Sequence, residues 1–130
     1  MMRERKPSAD LGGMRILVVE DEFYLATDIA DQIERAGGTV LGPCADASAG
    51  VAELDASPDC AVIDINLGQG PSFEMAEALK RRGVPFLFMT GYDAATIPLE
   101  FAHVERVAKP ADTSRVIDAI ARLTGGGRVS

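Results

Sequence analysis

Five short apolar runs, separated by segments of a different period, constrain the fold of this chain more than any other feature. Runs of this length that are rich in β-branched residues are typical of strands buried on both faces of a sheet. They occupy residues 14–20, 39–43, 59–66, 84–90 and 104–108. Because helical segments alternate strictly with these strands, the pattern predicts a doubly wound α/β fold. In that fold a five-stranded parallel sheet has right-handed crossovers and helices on both faces.

The segments between and after the strands predict four helices and one interrupted region. Apolar residues recur at helical spacing in residues 22–36, 46–56, 72–82 and 113–123. In the second helix we expect Ala47, Val51 and Leu54 to share the buried face, and Ser72 is a candidate N-cap of the third. Pro98 interrupts the region between the last two strands, so we expect the helix there to be short.

Size and charge limit the classes of function. A chain of 130 residues is predicted to form one domain, here residues 14–124 between a flexible lead-in (1–13) and a flexible tail (125–130). A net charge of −7 argues against binding to nucleic acid, which requires a basic face. No apolar run is long enough to cross a bilayer or to form a secretory signal, so we expect a cytoplasmic protein without a membrane partner. Cys44 and Cys60 lack metal-ligand spacing and are expected to be reduced core thiols.

The polar residues at the ends of the predicted strands form a chemically coherent set. In doubly wound sheets, ligands bind at the carboxyl ends of the strands. Here those ends supply carboxylates, one hydroxyl and one ammonium, from Glu20, Asp21, Glu22, Asp64, Thr90, Gly91 and Lys109. Two carboxylates a few ångströms apart repel by about 4 kcal/mol at an effective dielectric near 20, so they stay ionised together only when a cation joins them.

Hard oxygen ligands of this kind favour Mg²⁺. Asp21 and Asp64 are the natural direct ligands, with Glu20 in reach through water and the backbone carbonyl of Asn66 as a third protein oxygen. A metal ion beside a carboxylate with an ammonium on its other side is typical of phosphoryl transfer. Asp64 is then the predicted nucleophile, because carboxylates form aspartyl-phosphates. Lys109 and Thr90 are expected to neutralise and hydrogen-bond the phosphoryl oxygens.

Four motifs carry a family resemblance. In order, ILVVEDE, VIDINL, MTG and AKP resemble the receiver domain of two-component response regulators, over Arg15 to Leu123. The resemblance implies a flavodoxin-like fold with strand order 2-1-3-4-5, Mg²⁺-dependent phosphorylation of Asp64 by a phosphohistidine, and a cis peptide between Lys109 and Pro110. It also implies metal binding by Glu20, Asp21, Asp64 and Asn66, and phosphoryl binding by Asn66, Thr90, Gly91 and Lys109.

The stretch PFLFMTGYD narrows the resemblance to a receiver subgroup whose signature is Phe-Ala-Thr-Gly-Gly/Tyr, here with Met89 in place of Ala. That subgroup implies a bacterial single-domain regulator that lacks an output domain. Its partners would be a histidine kinase or a histidine phosphotransfer protein and a downstream protein, with the chain acting as a direct regulator or as a phosphate shuttle or sink. The sequence leaves open the identity of the downstream partner and whether the chain forms a homodimer through its last strand and helix.

Arg106 departs from the family pattern. Most receivers carry Tyr or Phe three residues before the Lys-Pro pair, and that ring moves inward when the Thr engages the phosphoryl group. With Thr90 as the other switch candidate, Arg106 either reaches an acidic partner or is a surface residue of an edge strand. We further predict that phosphorylation orders residues 92–103.

Two other functions remain open at this level. The first is a phosphohydrolase with an Asp nucleophile; those enzymes usually carry a second Asp two residues on, where this chain has Asn66. The second is a receiver-like interaction module that is never phosphorylated, which would have no need for the full set of site residues. The favoured function is a signalling protein that catalyses only its own phosphorylation and dephosphorylation.

Overall fold

A five-stranded parallel sheet with helices on both faces forms the computed structural model, which describes residues 11–66, 73–91, 97–109 and 113–125. The spatial order of the strands is β2-β1-β3-β4-β5, so the predicted fold class and strand order are confirmed. The strands are β1 (Arg15–Val19), β2 (Thr39–Cys44), β3 (Cys60–Asp64), β4 (Phe86–Thr90) and β5 (Arg106–Ala108). The helices are α1 (Phe23–Arg35), α2 (Ala47–Ala52), α3 (Glu74–Arg82) and α4 (Thr113–Leu123).

The register of the sheet places the polar strand ends along one edge. Neighbouring strands end within a residue or two of one another, as the pairs Val19–Ile63, Asp64–Met89 and Thr90–Ala108 show. Because all the strands are parallel, the residues that follow or end β1, β3, β4 and β5 converge at the carboxyl edge.

Two apolar clusters cover the two faces of the sheet, because side chains alternate between faces along each strand. Leu17 and Val19 lie in one cluster, and Ile16 and Val18 lie in the other. The first cluster is rich in aromatic rings, and four of them have neighbouring centroids 5.6–6.0 Å apart: Phe73, Phe86, Phe88 and Phe101. The second is mainly aliphatic and is covered by α1 and α4.

The folded unit includes Leu11, which the sequence assigned to the flexible lead-in. The side chain of Leu11 is fully buried, and its backbone N–H donates to the carbonyl of Ala36 at 2.8 Å. Gly38 makes room for it, since a Cβ at Gly38 would lie 3.3 Å from the Leu11 Cβ and 2.8 Å from the Ile33 Cγ2. Packing therefore extends the domain to Leu11, ahead of the predicted start at Met14, and residues 1–10 lie outside the described part.

The prediction for the buried face of the second helix was wrong at one position. Val51 is exposed, and the residues that face the core are Ala47, Gly50 and Leu54. Gly50 occupies the point of closest approach, because a Cβ there would lie 2.8 Å from the Met75 Sδ and 2.9 Å from the Val19 Cγ2. This contact turns the helix so that the neighbouring Val51 points outward. The α-helix also ends at Ala52 and continues as a 3₁₀ helix, Glu53–Ala56.

The region after β4 contains a single 3₁₀ turn, Leu99–Phe101, within the described residues 97–109. The predicted short helix agrees with this turn as far as the described residues extend. The candidate N-cap Ser72 and the predicted cis bond to Pro110 fall outside them; a cis peptide bond joins Gly42 and Pro43. Among the helices that the structure describes, none is long and apolar enough to cross a membrane.

Candidate functional site

Asp64, the last residue of β3, is a carboxylate inside an otherwise apolar strand and is 3% exposed. Both of its oxygens accept hydrogen bonds. Oδ1 accepts from the backbone N–H of Asn66 at 3.1 Å, and Oδ2 accepts from Nζ of Lys109 at 2.9 Å. Burial raises the pKa of Asp64, while the hydrogen bonds from Lys109 and Asn66 act in the opposite direction. The strand can bury this carboxylate because a cation and an N–H group satisfy it.

Glu20 follows β1 and is 2% exposed, so it is buried as deeply as Asp64. Its Oε2 accepts from the backbone N–H of Glu22 at 2.9 Å and from Nζ of Lys109 at 3.2 Å. Its Oε1 lies 3.1 Å from the same ammonium but accepts no directed hydrogen bond from any described group. Burial raises the pKa of Glu20 to about 7, and the nearby charge of Asp64 acts in the same direction. Glu20 is therefore a buried acid with one oxygen that contacts the ammonium but accepts no hydrogen bond from the described residues.

A third carboxylate, Asp21, completes a group that could hold a metal ion. One oxygen each from Glu20, Asp21 and Asp64 lies within 4.8 Å of the other two, and Asp21 alone of the three is exposed. Three carboxylates exceed the charge of the one ammonium that the described residues place beside them. Oxygen donors of this kind suit a hard divalent cation. The donor set fits such an ion, with Asp21 on the solvent side.

Lys109 joins the carboxylates from the end of β5. Its side chain is 20% exposed, and its Nζ also lies 3.9 Å from Glu22 Oε1. Burial lowers the pKa of Lys109, but hydrogen bonds to Asp64 and Glu20 outweigh that effect and raise it. Glu22 was predicted to lie among the acids at the strand ends, but its approach to Lys109 was not predicted. The sequence signal for this contact is the run of three consecutive acidic residues that follows the strand.

Thr90 and Gly91 lie at the same edge through their backbone positions. Thr90 ends β4 opposite Ala108, the residue before Lys109, and Gly91 follows directly. The Thr90 side chain falls outside the described part of the structure. A Cβ added at Gly91 would meet no heavy atom within 4 Å, so no steric demand of the described residues requires glycine there. Asn66 is half-buried and contributes its backbone N–H to Asp64.

Arg106 lies apart from this pocket. It begins β5 opposite Phe88, and its side chain is exposed. Within the residues that the structure describes, Arg106 takes part in no ion pair. Of the two interpretations that the sequence left open, the described residues favour the surface position.

Comparisons with known proteins show which family this chain resembles. The family model of the response regulator receiver domain matches residues 16–121. The photosynthetic apparatus regulatory protein RegA of Rhodobacter capsulatus is 29% identical over 119 residues, which are 86% of this chain and 64% of that protein. The sensory transduction protein LytT of Bacillus cereus is 27% identical over 82% of this chain and 46% of its own length. The chain thus spans about half to two thirds of these curated relatives.

A solved structure gives a fuller overlap. The BeF₃-activated conformation of SdrG from Pseudomonas melonis is 33% identical, with a TM-score of 0.73, and the alignment covers 90% of this chain and 98% of SdrG. The similarity therefore extends over nearly the whole length of both chains.

Proposed function

This chain belongs to the response regulator receiver domain family, and on that basis we propose that Asp64 accepts a phosphoryl group from the phosphohistidine of a histidine kinase or a histidine phosphotransfer protein in an Mg²⁺-dependent reaction. One observation carries the proposal. The Asp64 carboxylate is 2.9 Å from the Lys109 ammonium and shares a 4.8 Å group of oxygens with Glu20 and Asp21. This is the arrangement that an in-line phosphoryl transfer to a carboxylate needs.

The side chains of the pocket have distinct roles in this transfer. One oxygen of Asp64 attacks phosphorus, the bond from phosphorus to the histidine nitrogen breaks, and the imidazole, which carries a proton on its other nitrogen, leaves as the neutral base. Lys109, already bound to Asp64 Oδ2, offsets the charge that moves onto the phosphoryl oxygens. The Asn66 N–H keeps the carboxylate oriented. Glu20, Asp21 and Asp64 would hold Mg²⁺, which supplies a second positive charge for the phosphoryl oxygens.

The proposed output is a protein contact rather than turnover of a substrate. The chain would catalyse only its own phosphorylation and dephosphorylation and would regulate a downstream protein or act as a phosphate shuttle or sink. That it works as a stand-alone cytoplasmic regulator, without an output domain, is part of the same proposal, and the mass of the protein isolated from cells tests it. Placement in the Phe-Ala-Thr-Gly-Gly/Tyr subgroup also remains a prediction.

The test is labelling of the full chain with acetyl phosphate and Mg²⁺, followed by intact mass measurement. We expect one phosphoryl group per chain, loss of labelling in Asp64→Asn, and loss when EDTA removes the metal. Asp28→Asn is the matched control, because Asp28 is an exposed carboxylate on α1. If neither acetyl phosphate nor a phosphorylated kinase labels the wild type, the proposal is wrong, and the interaction module that is never phosphorylated becomes the favoured function.

The same experiment addresses the phosphohydrolase alternative. Continued release of inorganic phosphate from phosphate esters, in molar excess over the protein, would favour an enzyme. A single stoichiometric label that decays without further consumption of donor supports the receiver. The structure gives Asn66 a backbone contact to Asp64 where a phosphohydrolase would place a second acid.

A further inference from the structure

Leu99 is the most exposed large apolar side chain in the described part of the chain, at 90%. It is held there by a fixed turn, since the N–H of Phe101 donates to the carbonyl of Pro98 at 2.9 Å. Phe101 is 1% exposed, and its ring centroid lies 6.0 Å from those of Phe73 and Phe88. We call the segment Pro98–Leu99–Glu100 the knob. An anchored turn that presents leucine to solvent is a feature suited to protein contact.

A groove of about 620 Å³ borders the knob. It lies at the amino edge of the sheet, opposite the acidic pocket, between the ends of α3 and α4. Its floor is largely apolar and includes Val84, Pro85, Phe86, Val104 and Leu123. Leu99 does not fill it, because Leu99 is almost entirely exposed and is not among the lining residues. The groove is thus wide enough for an apolar side chain from another molecule.

The charges around the two features are complementary. The groove is lined by two cations, Lys80 and Arg122, and by one acid, Glu105, which pairs with Arg122. The knob carries an acid, Glu100, which is 3.5 Å from Lys80 within the same chain. The Lys80 ammonium also lies over the Phe101 ring, 5.8 Å from its centroid. An acidic, apolar knob therefore matches a groove with one net positive charge, which Lys80 carries.

We propose that the occupant of the groove is a second copy of this chain, in a two-fold dimer where each knob enters the groove of the other molecule. The Lys80–Glu100 pair joins knob and groove on one surface, so a single two-fold axis beside it forms both contacts at once. Across the axis, each Glu100 faces Lys80 of the second groove. A contact limited to one turn and one groove on each copy gives a weak dimer. Its surface is separate from the proposed phosphoryl site.

Sedimentation equilibrium of the full chain from about 10 µM to about 1 mM tests the proposal. We expect a concentration-dependent dimer whose Kd rises at least tenfold in the knob variant Leu99→Ser and in the groove variant Val84→Asp. His103→Glu is a second groove variant that alters an exposed residue and keeps the apolar floor, and it should weaken the dimer as well. Tyr24→Ser removes another exposed apolar side chain, 83% exposed on α1, and should leave the Kd unchanged.

Mixing the variants distinguishes this dimer from any other. Leu99→Ser retains an intact groove and Val84→Asp an intact knob, so a mixed dimer keeps one of the two contacts, whereas each variant alone keeps none. We expect the mixture to associate more tightly than either variant by itself. A wild type that is monomeric at about 1 mM overturns the proposal, as does a mixture without gain or a dimer that Tyr24→Ser disrupts.

Discussion

The two ends of β3 place different ionisable groups in the same core. Cys60 at the amino end is fully buried, and Asp64 at the carboxyl end is 3% exposed. Burial raises the pKa of both, and with the nearby charge of Asp59 the Cys60 thiol reaches about 12. A neutral thiol is accommodated at no electrostatic cost. The carboxylate needs Lys109 beside it, and two further acids are added to the same place.

The surroundings of the two ends show the same contrast. At the amino edge, the charged groups are exposed and form hydrogen bonds at the surface. The Arg15 guanidinium donates to the carbonyl of Ala56, and the Arg82 guanidinium donates to the Asp55 carboxylate. At the carboxyl edge, buried carboxylates outnumber the described ammonium. Uncompensated buried charge destabilises a fold unless a ligand relieves it. Under the proposed function, the carboxyl edge gives up stability in order to bind a cation and a phosphoryl group.

Removal of the Lys109 ammonium should have the largest effect on the stability of the metal-free protein. In Lys109→Met, Glu20 and Asp64 lose their only described cation, so we expect the metal-free protein to lose about 3 kcal/mol of unfolding free energy in urea denaturation. Arg122→Met removes an exposed cation that pairs with Glu105 at the amino edge and should have almost no effect. Equal losses in the two variants would contradict the contrast between the edges.

Neutralising the buried acid should stabilise the metal-free protein. With its pKa near 7, Glu20 is ionised at pH 8 at the expense of folding, so Glu20→Gln is expected to gain about 1–2 kcal/mol in EDTA. Asp21→Asn should gain less, because Asp21 is exposed to solvent. A lower melting temperature for either variant without metal would count against a shared acidic pocket.

Alkaline pH tests the other end of the strand. The folded pKa of Cys60 is about 12 against an ordinary value of 9.0, so the folded state favours the neutral thiol. The stability from this preference is complete below pH 9 and is lost as pH rises toward 12, by about 1 kcal/mol at pH 10. Cys60→Ala should therefore lose less stability than the wild type between pH 8 and pH 10. Identical losses would show that Cys60 ionises freely in the fold.

The smallest expected effect is local ordering next to the pocket. We expect hydrogen exchange of residues 92–103 to slow when beryllofluoride and Mg²⁺ are added, because the segment follows Thr90 directly. Exchange in α1 serves as the internal reference. Unchanged exchange in 92–103 would mean that the switch uses another segment.

The sequence predicts the doubly wound parallel sheet and its carboxyl edge well because both depend on patterns local to each strand, whereas the strand order was predicted from the family resemblance. Which face of α2 is buried was harder to predict. Gly50 faces the core because it has no Cβ, whereas a pattern of apolar residues predicts that Val51 faces the core. Leu11 was missed because its contacts lie with Ile33 and Ala36, far along the chain, and the two glycines that follow it are typical of a linker.

Within the site, the sequence identified the acids but not their depth. It placed Asp21 as a direct ligand and Glu20 behind water, whereas the structure buries Glu20 and exposes Asp21. Adjacent residues at a strand end point in different directions, and which one faces the pocket depends on the turn into α1. Which of the two coordinates directly stays a prediction.

Thermal unfolding during an Mg²⁺ titration shows whether the folded protein binds the ion at the carboxyl edge. If the carboxyl edge is a cation site, Mg²⁺ should raise the melting temperature of the wild type in a saturable way that Asp64→Asn and Asp21→Asn abolish and that Asp28→Asn retains. A wild type whose melting temperature does not respond to Mg²⁺, or a response that persists without Asp64, would contradict the account.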